Sequence, residues 1–127
     1  MHTSPATCLR RVRRLIDAGV IRRRVALLDP QKVGVSLTAF VEVTLDRQTA
    51  EAVAAFEERA AADPAVRQCH RIGAGPDFML VVQARDMAAW QVVVRRLFTD
   101  DANVRNVKTF FSTHCAKLDT RVELPGA

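Results

Sequence analysis

At 127 residues, with 49% hydrophobic and 26% charged side chains, the chain has the composition of one compact globular domain with a short appendage. No apolar run approaches the ~18–20 residues needed to span a bilayer, and charge begins at Arg10, where a secretory leader would be apolar. A soluble cytoplasmic protein without membrane contact is the expectation. Cys8, Cys69 and Cys115 are odd in number and irregularly spaced, which argues against a secreted disulfide framework.

The net charge of +5 is concentrated at one end. Residues 1–24 hold seven Arg against one acid, Asp17, whereas residues 25–127 hold twelve basic and thirteen acidic side chains. A basic patch beside a nearly neutral body is the footprint of a phosphate-backbone binder, although a charged helix face can also be merely solvated.

In chain order, Ser4-Pro5 is a helix start, with Ser as the cap and Pro at the first helical position. Leu9, Val12, Leu15 and Ile16 follow at the spacing of one apolar face, interleaved with Arg10, Arg11, Arg13 and Arg14, and Gly19 is a stop. Val20-Ile21 read as a short strand before Arg22-Arg23-Arg24. A basic helix running into a basic strand suits the recognition helix and wing of a helix-turn-helix unit.

From Ser36 the period changes to two. Leu37, Ala39, Val41, Val43 and Leu45 alternate with Thr38, Phe40, Glu42 and Thr44, which predicts a strand with one apolar face. Residues 49–62 predict a helix carrying Val53, Phe56 and Ala60, residues 66–72 a more polar strand, and residues 73–76 a sharp turn. The order then repeats: a strand over residues 78–85, an Asp86-capped helix with Trp90, Val93, Val94 and Leu97 in a stripe, and a strand over residues 104–115. The junctions match as well, Asp63-Pro64-Ala65-Val66 against Asp101-Ala102-Asn103-Val104. Two βαβ units in succession predict an α+β fold of ferredoxin-like βαββαβ order with both helices on one sheet face. The opposite face would show Phe40 and either Phe110 or Phe111, and an exposed apolar face implies a homodimer at least.

Candidate chemistry is sparse. Cys69-His70 and His114-Cys115 are potential zinc ligands, but they fall on strands expected at opposite sheet edges, and neighbours on a strand point to opposite faces; no metal or cofactor is expected. Cys8 has no His or carboxylate placed to complete a triad, and no P-loop, dinucleotide fingerprint or HExxH is present, so no enzyme is expected. The remaining candidate is the turn Gly73-Ala74-Gly75-Pro76-Asp77, whose amides suit a small carboxylate and whose Asp77 suits an ammonium group, an amino-acid pattern that a plain β-turn equally explains.

These pieces together resemble the leucine-responsive/asparagine-regulatory (Lrp/AsnC) family of transcription regulators. The resemblance rests on residues 4–15 followed by Gly19-Val20-Ile21, on Ala26-Leu27-Leu28-Asp29-Pro30 with Gly34, on Phe40-Val41-Glu42-Val43, on residues 66–71, on Asp77-Phe78-Met79-Leu80 and on Leu124-Pro125. It implies a partial winged helix-turn-helix segment with a linker strand over residues 1–30 and a ligand-sensing, dimerising domain over residues 31–127. It further implies that double-stranded DNA meets Ser4, Thr7, Arg10, Arg11 and Arg14, and that an amino-acid-like effector meets Ala74, Gly75, Pro76 and Asp77. The family's effector loop commonly reads Gly-x-Tyr-Asp, so Pro76 stands here where an aromatic is usual. The helices that the resemblance places ahead of Ser4 are missing, so the reading is of a regulator truncated at its start. Burying each of the four apolar residues on this helix is worth roughly 1.5–3 kcal/mol, so the uncovered DNA-binding half is not expected to fold independently. The alternative reading is a truncated sensing and assembly module that does not bind DNA alone and acts through hetero-oligomers.

Overall fold

The computed structural model describes residues 4–125. Helix α1 (Pro5–Asp17) is followed by a short 3₁₀ turn (Gln31–Val33), then β1 (Leu37–Leu45), α2 (Ala50–Ala62), β2 (Val66–Arg71), β3 (Phe78–Ala84), α3 (Met87–Val94) and β4 (Val104–Phe111). The end of α3 widens into a π-helical turn (Arg95–Thr99) before β4 begins. The four strands form one antiparallel sheet in the order β2-β3-β1-β4, the ferredoxin-like arrangement expected from the repeated βαβ pattern.

The period-two pattern of β1 translates directly into burial: Ala39, Val41, Val43 and Leu45 are buried, while Phe40 between them is exposed. Phe78, Leu80 and Val82 do the same from β3, and Phe56, Ala60, Trp90, Val93, Leu97 and Phe98 close the core from the helices. The rings of Phe56 and Phe78 meet at 4.8 Å between centroids. Each large side chain taken out of water here contributes roughly 1.5–3 kcal/mol.

Register settles which phenylalanine faces away from the helices. Phe110 lies directly opposite Phe40, whereas Phe111 lies opposite buried Ala39 and packs edge-on against Trp90 at 5.5 Å. The outer face therefore carries Phe40 and Phe110, 41% and 47% exposed.

Two expected strands are corrected. Val20-Ile21 forms no wing strand, because both amides turn back and donate to the Leu15 carbonyl, at 2.8 and 3.0 Å, and so close the end of α1. Residues 22–29 also carry no linker strand; no ladder partner is paired with them among the described residues. The last strand stops at Phe111 rather than residue 115, because β1 runs out of residues to pair: the Ser112 amide reaches the Thr38 carbonyl at 2.9 Å, and the ladder ends there.

Candidate functional site

The basic helix is assembled as its sequence dictates. Ser4 caps it, its Oγ accepting from the Thr7 amide at 3.2 Å and lying 2.8 Å from the Thr7 hydroxyl, with Pro5 in the first turn. Gly19, at φ +78°, supplies the left-handed residue that ends it. At about 100° per residue, Ser4, Thr7, Arg10, Arg11 and Arg14 share an arc of roughly 120°, and Leu9, Val12, Leu15 and Ile16 share the opposite side. No residue of α1 is buried; Leu9 is 64% exposed. Among the described residues none of Arg10, Arg11, Arg13, Arg14, Arg22, Arg23 and Arg24 enters an ion pair. The helix therefore presents an uncompensated cationic face, the arrangement that neutralises a run of phosphates.

The turn over residues 73–77 joins β2 to β3. The Ile72 amide donates to the Asp77 carbonyl (3.2 Å), and the Asp77 amide donates to the Val43 carbonyl (2.8 Å), which anchors both ends of the turn. Ala74 lies in the left-handed region at φ 57°, uncommon for a residue with a side chain. Space is open around Gly73 and Gly75, and the amides of Gly73, Ala74 and Gly75 have no acceptor among the described residues. The Asp77 side chain is already engaged: its Oδ2 accepts from the Leu45 amide at 2.7 Å and lies 3.5 Å from the Gln48 side-chain amide. Sequence reasoning assigned Asp77 to an ammonium group and missed this latch onto the end of β1, which only strand register reveals.

The structure does not bring the Cys-His pairs together. β2 and β4 are opposite edges of the sheet, and no group of three or more His, Cys, Asp or Glu is placed to hold a metal among the described residues. Cys69 turns toward the core; burial, then the charge of Glu57, pushes its thiol above the usual value and leaves it protonated at neutral pH. His70 points to the other face beside Gln68, at 2.9 Å.

Each sheet-domain helix also ends in an aspartate that sequence reading took only as a junction. Asp63 Oδ1 accepts from the Ala65 amide and Asp101 Oδ1 from the Asn103 amide, both at 2.9 Å, so the matched junctions fold as matched turns. Asp63 is buried and takes Arg96 through two bonds of 2.6 and 2.9 Å. Burial drives its carboxyl upward, but the Arg96 bonds, the Ala65 amide and the Arg96 charge together hold it below the ordinary value. Arg71 pairs with Glu57, fastening β2 to α2.

Comparison with known proteins agrees with this division. The family model described as the Lrp/AsnC ligand binding domain matches residues 38–122, and one for a winged helix-turn-helix DNA-binding unit matches residues 1–22. An uncharacterised HTH-type transcriptional regulator of Haemophilus influenzae is 36% identical over 124 residues, covering 98% of this chain and 74% of that protein. The leucine-responsive regulatory protein of Rhizobium meliloti is 37% identical over 121 residues, covering 95% and 78%. Among solved structures, an AsnC family regulator from Agrobacterium tumefaciens superposes with TM-score 0.84 at 32% identity, covering 94% of this chain and 78% of that one. A Neisseria meningitidis transcriptional regulator, solved as a complex with L-Met, superposes with TM-score 0.85 at 30% identity, covering 96% and 79%.

Proposed function

The chain belongs to the Lrp/AsnC family of transcription regulators, and we propose that it is a sequence-specific regulator that grips double-stranded DNA through α1 and responds to an amino acid or related small effector. The observation that carries this reading is the unpaired cationic face of α1, set opposite its apolar side. On it, Arg10, Arg11 and Arg14 anchor to phosphates while Ser4 and Thr7 approach base edges in the major groove. The turn over residues 74–77 is the proposed effector contact. Its free amides suit a carboxylate, and the L-Met bound to the Neisseria relative is a ligand of that class. Because Asp77 is tied to the Leu45 amide, it acts first by holding the turn in shape. The exposed Phe40 and Phe110 support a homodimer formed through the outer sheet face. The protein acts in the cytoplasm, where its DNA lies, and catalyses no reaction.

Fluorescence anisotropy with duplex DNA across a salt series tests the reading. The logarithm of affinity should fall linearly with the logarithm of salt concentration, by about 0.9 for each phosphate neutralised, and Arg11→Ala should flatten that slope by about one such unit. Absence of binding even at low salt would sink it for this chain. The second reading, a sensing module that works through hetero-oligomers, would then stand; the exposed Leu9, Leu15 and Ile16 favour it, being a face suited to a partner.

A further inference from the structure

A cleft of about 290 Å³ opens beside α2, away from the β2–β3 turn, between the segment that leaves β1 and the turn that precedes β4. Its two walls are tied to each other. The Arg47 amide donates to Asn103 Oδ1 at 2.9 Å, Asn103 Nδ2 donates to the Arg47 carbonyl at 3.2 Å, and the Asp46 amide donates to the Asn103 carbonyl at 2.8 Å. Arg59 fixes a third side, donating to the Leu97 carbonyl at 3.0 Å and to Asp101 at 2.7 Å. Ala52 and the buried Phe56 ring line the interior, where small side chains leave room. The cleft is therefore held in shape by the fold before any ligand arrives.

Its charges are complementary to a particular kind of molecule. The Arg47 guanidinium and the Asp100 carboxylate both line the cleft and both are exposed, yet neither joins an ion pair, with each other or elsewhere, among the described residues. Opposite charges held apart across one concavity are satisfied together by a ligand that carries both signs. We propose that this cleft is a small-molecule site for a compact zwitterion, its carboxylate on Arg47, its ammonium on Asp100 and its short apolar body over Ala52 and Phe56. The site is distinct from the turn over residues 74–77, and the proposal stands whether or not that turn binds an effector.

Amide chemical shifts of the full ¹⁵N-labelled chain test it, with L-alanine, N-acetyl-L-alanine and L-alaninamide as probes. L-Alanine should move the amides of Ala52, Ala55 and Asn103 saturably. Either single-charge analogue should bind there about tenfold more weakly or worse, as should L-alanine to Arg47→Gln or Asp100→Asn. Spectra that otherwise overlay the parent protein show that these surface variants are folded. Three results would overturn the proposal: no shift at the cleft amides up to the solubility of the probe, equal shifts from all three probes, or binding unchanged in both variants. Movement confined to the Gly73 and Gly75 amides would also overturn it while leaving the effector turn standing; cleft movement without turn movement would do the reverse.

Discussion

The two βαβ halves of the sheet domain fill one core with inverted sizes. Counted from their caps, Thr49 and Asp86, the two helices place Val53 and Trp90 four residues on, Phe56 and Val93 seven on, and Ala60 and Leu97 eleven on. At each level a smaller side chain on one helix matches a larger one on the other, which lets the layer interdigitate at interior density. The halves also brace each other crosswise: Asp63, ending the first helix, takes Arg96 of the second half, and Asp101, ending the second, takes Arg59 of the first. Asp63 follows Arg59 by four residues and Asp101 follows Arg96 by five, and the second interval is the one that contains the π-helical turn. The repeat thus tolerates exchanged volumes and one additional residue, provided that cap, aspartate turn and arginine brace persist.

The packing level at Phe56 and Val93 is where this comparison breaks most sharply. Phe56 is 1% exposed and touches the Phe78 ring, so Phe56→Ala should cost about 3–5 kcal/mol in urea unfolding of the full chain. Val93→Ala, at the matching position, removes two methyl groups and should cost about 1.5–2.5 kcal/mol. Equal costs would mean that the two positions do not share a layer.

The braces give the next effect. Asp63→Asn keeps an oxygen for the Ala65 amide but removes the charge that Arg96 grips, and should cost about 1.5–3 kcal/mol. The Asp63 carboxyl is held below its ordinary range in the folded chain, chiefly by the Arg96 bonds working against burial. Its stabilisation is therefore present above the unfolded value and is lost as pH falls through the lower folded one. Between about pH 5 and the acid limit, the parent protein should lose more stability than Asp63→Asn. Parallel stability curves over that window would remove Asp63 from the acid response.

How much of this was legible beforehand follows from the range of each interaction. The alternation from Leu37 to Leu45, the caps at Ser4 and Asp86 and the matched aspartate junctions are local signals, and each formed as read. The choice between Phe110 and Phe111 depended on register, which adjacent residues of one strand cannot specify because they point to opposite faces. The wing at Val20-Ile21 failed because β propensity without a ladder partner yields to the nearest carbonyl, that of Leu15. At the effector turn, the residues were visible but the Asp77 latch was not, since its partner Leu45 lies 32 residues away. The crosswise arginines were hidden for the same reason.

The weaker brace gives the smallest effect and the finest distinction. Side chains of Asp101 and Arg59 are 20% and 42% exposed, against 5% for Asp63, so solvent screens this pair more. Asp101→Asn should cost under about 1 kcal/mol. Arg59→Ala should cost more than its partner's substitution, because it also removes the bond to the Leu97 carbonyl and the stacking over Phe56 at 5.7 Å. A double-mutant cycle in urea unfolding separates the two contributions, its coupling term reporting the ion pair alone. Coupling as large as that between Asp63 and Arg96 would mean that both braces hold the halves equally; coupling near zero would leave Arg59 as a cap on the π-helical turn, with the ion pair incidental to it.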